Sequence, residues 1–86
     1  MKQFTYVVTD PLGIHARPAG LLTKTAKAFP DTDVTISKGG DSARAGQLMK
    51  LMSLGVKQGD RITVTIDGPA EEAAANAILK FLSDNL

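Results

Sequence analysis

Between Asp60 and Asp67 the chain alternates strictly, with Ile62, Val64 and Ile66 separated by Arg61, Thr63, Thr65 and Asp67. A period of two sends successive side chains to opposite faces, so residues 60–67 predict a strand with one apolar and one wet face. The stretch QFTYVVT, 3–9, is rich in aromatic and β-branched residues and stops at Asp10-Pro11-Leu12-Gly13, which predicts a second strand and a turn. Val34 and Ile36 alternate with Thr35 and Ser37 before the sequence KGGD. That pattern predicts a short strand, a tight hairpin in which Gly39 and Gly40 supply positive φ, and a weak return strand over about 41–45.

Three other stretches change period. From Ala16 to Ala28 the apolar residues Ala19, Leu22, Ala26 and Phe29 fall on one helical stripe, Lys24 and Lys27 point away from it, and Pro18 fits the first turn. Residues 47–53, QLMKLMS, predict a short helix opened by Gly46 and stopped by Gly55. After Gly68 the pattern predicts a last helix with Pro69 at its first position and Glu71 and Glu72 in its first turn. Its buried stripe comprises Ala70, Ala73, Ala74, Ala77, Ile78, Phe81 and Leu82. The order β-α-β-β-α-β-α, with one polar strand face, implies an α+β fold in which helices cover one side of an antiparallel sheet.

Composition limits what such a fold can do. At 86 residues the chain has room for one modest core, so we expect a single domain over 1–86 and a one-step task. Ten basic residues against nine acidic ones, dispersed along the chain, give +1, which does not resemble a nucleic-acid-binding patch. There is no cysteine and only one histidine, so disulfides, thiolate nucleophiles and cysteine-based metal sites are excluded and no metal or cofactor is expected. No segment reads as a signal peptide or reaches membrane-spanning length. The expectation is a cytoplasmic monomer without membrane insertion.

The lone histidine lies in GIHARPAG, 13–20. A single His in a small protein is most often a surface or capping residue, but this one stands at the threshold of a helix. There the backbone N–H groups of Ala16 and Arg17 and the positive end of the dipole suit an anion, phosphate above all. Arg17 adds a planar charged fork able to hold phosphate oxygens in pairs. A neutral imidazole beside such a cradle can accept a phosphoryl group. No P-loop, metal-binding carboxylate set or second base accompanies it, so little is present to activate water.

GIHARPAG together with MSLGV, 52–56, resembles the two signatures of the HPr family of histidine-containing phosphocarriers, and the resemblance extends over essentially the whole chain. It implies an open-faced β-sandwich: a four-stranded antiparallel sheet in order 1-4-2-3 with three helices on one face. It also implies that His15 takes a phosphoryl group on Nδ1 from phosphorylated enzyme I of the phosphoenolpyruvate-dependent sugar phosphotransferase system, with Arg17 steadying it. The acceptors would be the IIA domains of sugar permeases, so the chain would be a carrier consumed and regenerated stoichiometrically, and not an enzyme.

A second-helix docking surface fits both lines of reasoning. A helix as short as 47–53 cannot bury four large side chains, so Leu51 is assigned to the core while Leu48, Met49 and Met52 are expected to be at least partly exposed. Pliable thioether surfaces suit several partners in turn. Gly20, Lys24, Lys27 and Lys50 are expected around that patch, the lysines steering acidic partners. Where many relatives carry a regulatory serine at the start of this helix, the matching residue is Gln47, which cannot be phosphorylated. Other readings stay open: a paralogue serving nitrogen regulation or dihydroxyacetone phosphorylation, a plain binding module with His15 as a cap, or a small phosphatase. Partner assays, His15→Ala and phosphate release separate them.

Overall fold

The computed structural model describes residues 1–86. The elements are β1 (Lys2–Val7), α1 (Ala16–Lys27), β2 (Asp33–Lys38), β3 (Asp41–Arg44), α2 (Leu48–Ser53), β4 (Arg61–Asp67) and α3 (Glu71–Asn85). The strands form one sheet in the order β1-β4-β2-β3, with every neighbouring pair antiparallel. Register follows the apolar alternation: Val64 stands opposite Phe4 on β1 and Ile36 on β2, and Ile36 stands opposite Ala43 on β3. A slip of one residue would turn each of these side chains to the wet face, which is why the pattern specifies the pairing.

The three helices close that apolar face. Leu22 of α1, Leu51 of α2 and Ile78 and Leu82 of α3 are fully buried with Ile36, Ile62, Val64 and Ile66 in one continuous core. Each such side chain contributes about 1.5–3 kcal/mol of transfer free energy. The opposite face carries rows of short polar groups, such as Thr5, Thr63, Ser37 and Ser42 across the four strands. The expected architecture is therefore present, strand order included.

Several expectations shift. β1 ends at Val7, two residues early, because the Thr9 and Asp10 N–H groups donate to the Leu86 carbonyl and not to a strand. In the hairpin only Gly39 has positive φ, 59°. Gly40 does not, which fits the II′ class, where only the first central residue needs it. The last helix starts at Glu71, and Pro69 lies in the turn ahead of it. The reason is a long-range contact: the Ala70 N–H donates to Thr32 Oγ1 at 3.0 Å, and Gly68, at φ 151°, lets the Thr32 backbone approach so closely that a Cβ would stand 2.6 Å from Thr32 Cα. Ala73 is exposed and Ala70 and Ala77 only half-buried, so the core stripe of α3 narrows to Ala74, Ile78, Phe81 and Leu82. Glu71 and Glu72 do occupy the first turn, where Glu71 lies 2.7 Å from the Met1 ammonium. The hydrogen bond from that ammonium holds the Glu71 carboxyl below the usual carboxylate range.

Candidate functional site around His15

Residues 10–14 bring the histidine into place through backbone pairing. Asp10 folds the segment on itself: its Oδ1 accepts the Leu12 N–H at 2.8 Å and its carbonyl accepts the Gly13 N–H at 3.0 Å. Gly13 then adopts φ 65° and lies so close to the α2–β4 loop that a Cβ there would stand 2.2 Å from the Val56 carbonyl oxygen. The next residue, Ile14, is buried and donates its N–H to that same Val56 oxygen at 3.1 Å. The two sequence signatures thus meet at one backbone hydrogen bond.

His15 is the N-cap of α1, with extended φ of −104° and ψ of −176°, and its ring makes no capping hydrogen bond. The imidazole is therefore not spent on the helix. The His15 carbonyl accepts the Ala19 N–H at 2.9 Å, Pro18 has no N–H, and the Ala16 and Arg17 N–H groups have no acceptor in the protein. Two donors at the positive end of a twelve-residue helix point outward beside a half-buried histidine. Arg17 is exposed and forms no salt bridge. The ring, two N–H groups and a free guanidinium together offer an anion a cradle at an unengaged nucleophilic nitrogen.

A depression of about 250 Å³ opens at this end, lined by Asp10, His15, Arg17, Pro18, Leu21, Asp84 and Asn85. Asp84 and Asn85 have no signal in the sequence near His15; the last turn of α3 delivers them across the fold. The Asn85 amide is engaged, donating to the Phe81 carbonyl at 3.0 Å.

The expected docking residues divide. Met49 is 77% exposed and Leu48 38%, Met52 is half-buried against the core, and Leu51 is fully buried, which is the predicted partition of α2. Gly20 and Lys24 follow Ala16 at i+4 and i+8, so they continue one stripe of α1 away from the cradle. α2 runs against α1: Thr23 late in α1 donates to the Ala45 carbonyl just before α2, while Val56 just after α2 meets Ile14 just before α1. Lys27 lies at the far end of α1, roughly 16 Å along the axis from Ala16, and lines a separate depression with Phe29, Arg44 and Gln47. Lys50 faces a third depression with Arg44, Gln47 and Ser42. Lys24, the ninth residue of α1, and Lys27, its last, both lie on the half of α1 beyond the cradle, and Lys50 is carried by α2 itself.

Residues 2–84 match the family model described as the PTS HPr component phosphorylation site. The chain belongs to the HPr family. It is 44% identical over 82 residues to the phosphocarrier protein HPr of Mycoplasma pneumoniae, an alignment covering 95% of this chain and 93% of that protein. Its fold superposes on HPr-C-His of Thermoanaerobacter tengcongensis with a TM-score of 0.91 at 33% identity, covering 98% of this chain and 93% of the other. It is also similar to an HPr dimer from the same organism, with a TM-score of 0.76, 33% identity and coverage of 98% and 95%. The β-α-β-β-α-β-α sandwich expected from the signatures is thus the family's fold. No helix is long and apolar enough to cross a membrane.

Proposed function

We propose that the chain carries a phosphoryl group on His15, received from phosphorylated enzyme I and delivered to IIA domains of sugar permeases. The observation that carries this reading is the pair of unpaired N–H groups at Ala16 and Arg17 beside an imidazole that caps nothing. In the transfer, a ring nitrogen lone pair of neutral His15 attacks phosphorus, the N–P bond forms, and the donor's bond to phosphorus breaks with its electron pair returning to the donor. The metaphosphate-like transition state spreads charge over three oxygens. The two N–H groups and the Arg17 fork are placed to receive that charge. Delivery to an acceptor is the same displacement in reverse, so the carrier needs no base and no activated water.

Docking is assigned to Leu48, Met49, Met52, Gly20, Lys24, Lys27 and Lys50, since α2 runs against α1 with its exposed start beside the later turns of α1 and its end beside the cradle. A small interface of this kind suits partners that must separate after each transfer. We place the carrier in the cytoplasm as a monomer, since the one chain closes its own core. The test is intact mass before and after incubation with phosphoenolpyruvate, magnesium and enzyme I, with His15→Ala alongside and brief acid treatment at the end. One acid-labile phosphoryl group, absent from the variant, is expected. No gain with several active enzyme I preparations, or a gain that His15→Ala retains, would sink the reading.

A further inference from the structure

We infer that Lys38, on the hairpin between β2 and β3, is a positioning residue for phosphoryl transfer at His15; this rests on the carrier reading above. Lys38 is the last residue of β2 and shares the face of Val34 and Ile36, so its stem runs toward the helical layer. Its ammonium donates to the Gly55 carbonyl at 2.8 Å and stands 3.0 Å from Asp60 Oδ2. The same carboxylate oxygen accepts the Lys57 N–H at 2.8 Å. One cation therefore ties together both ends of the 55–60 loop.

That loop is the splint on which the His15 segment lies. The Val8 N–H donates to the Asp60 carbonyl at 3.0 Å, the Gly59 N–H donates to the Val8 carbonyl at 2.8 Å, and Gln58 Nε2 donates to the Thr9 carbonyl at 3.2 Å. At the other end Val56 takes the Ile14 N–H, one residue before the histidine. The Asp60 end is thus held to the residues after β1 by two backbone bonds and one from the Gln58 side chain. The Gly55–Val56 end, which sets Ile14, has the Lys38 ammonium as its tie to the hairpin. Gly55 follows the last turn of α2, where terminal carbonyls and the negative dipole end favour a cation, so the same contact also fixes the end of the docking helix. The Asp60 carboxyl lies below the usual range, chiefly through the Lys57 N–H bond and then the Lys38 bond, and so remains ionised for this tie.

The experiment pairs Lys38→Met, which keeps the stem and removes the charge, with Lys38→Arg, which restores a cation able to reach both oxygens. Two quantities are read: amide hydrogen exchange at Ile14 against Ile36 and Val64 in the sheet, and the rate of His15 phosphorylation at saturating phosphorylated enzyme I. In Lys38→Met, exchange at Ile14 should rise roughly fivefold while the sheet amides change little, as expected for losing one net hydrogen bond locally. The transfer rate should fall several-fold, and Lys38→Arg should recover both values. A uniform rise at all three amides, unchanged exchange at Ile14, an unchanged transfer rate, or an arginine variant no better than the methionine would each overturn the inference. If the wild-type protein accepts no phosphate, the carrier reading fails and the positioning role falls with it, while the Ile14 readout still reports whether Lys38 holds the splint.

Discussion

Gly13→Ala isolates the junction between the two signatures. An L side chain at φ 65° costs about 1–2 kcal/mol on conformational grounds. In addition, its Cβ would stand 2.2 Å from the Val56 oxygen and 2.7 Å from Lys57 Cα, both backbone atoms that no rotamer change can move aside. The His15 segment and the α2–β4 loop must part, and the Ile14 to Val56 hydrogen bond, worth about 1 kcal/mol net, goes with them. The expected loss is about 3–4 kcal/mol, against a total of about 4–13 kcal/mol at the usual stability per residue. That corresponds to a fall in Tm of roughly 12–30 °C. Two further glycines calibrate the result. Gly39 shares the positive φ but has open space where a Cβ would go, so Gly39→Ala should cost only about 1–2 kcal/mol. Gly20 is helical with open space, so Gly20→Ala should gain about 0.5–1 kcal/mol. Urea unfolding of the three variants decides the matter. A Gly13→Ala cost no larger than that of Gly39→Ala would refute the close-approach argument, whatever its effect on transfer.

Arg17→Lys keeps the charge and loses the fork, so the transfer rate should fall about tenfold to a hundredfold, the equivalent of one charge-assisted hydrogen bond, with stability unchanged; an intact rate in a phosphorylation assay would remove Arg17 from the cradle. Leu51→Ala, at a fully buried position, should cost about 2–5 kcal/mol, whereas Met49→Ala should stay within about 0.5 kcal/mol and instead weaken partner affinity, which unfolding and titration with enzyme I would separate. Asp60 and Glu71 both have lowered pKa values, so the stability each adds is present above the ordinary carboxylate range near about pH 4 and is lost as pH falls through the folded value. Thermal midpoints should therefore drop on acidification below that range, and Asp60→Asn should flatten the drop; an identical acid profile in the variant would remove the Asp60 contribution.

Local chemistry accounts for what the sequence reveals. The alternation of β4, the stripe of α1 and the partition of α2 are each written within one element, and the two expected phosphate-site side chains, His15 and Arg17, are neighbours at one helix end. What stays hidden arises between distant segments. Asp84 and Asn85 reach the His15 depression only because α3 packs back across the sheet. The late start of α3 is dictated by Thr32, 38 residues earlier. Lys38, Gly55 and Asp60 carry no shared motif, and their meeting depends on the hairpin turning beside the end of α2. Lys27 shows a related limit: its spacing places it on an exposed face of α1 but says nothing about how far along the axis His15 lies.

The pairing of β1 solely with β4 governs when the protein becomes competent during its synthesis. Sixty residues separate Val7 from Asp67, which is about 3–12 s of ribosomal elongation. Throughout that interval the segment holding His15 has already been made, yet the Val56 carbonyl, the β4 ladder and the Leu86 carbonyl that hold residues 8–14 have not all arrived. A nascent chain therefore carries His15 before the segments that hold residues 8–14 in place have arrived. Proteolysis of arrested chains should find 8–15 cleavable until β4 has emerged.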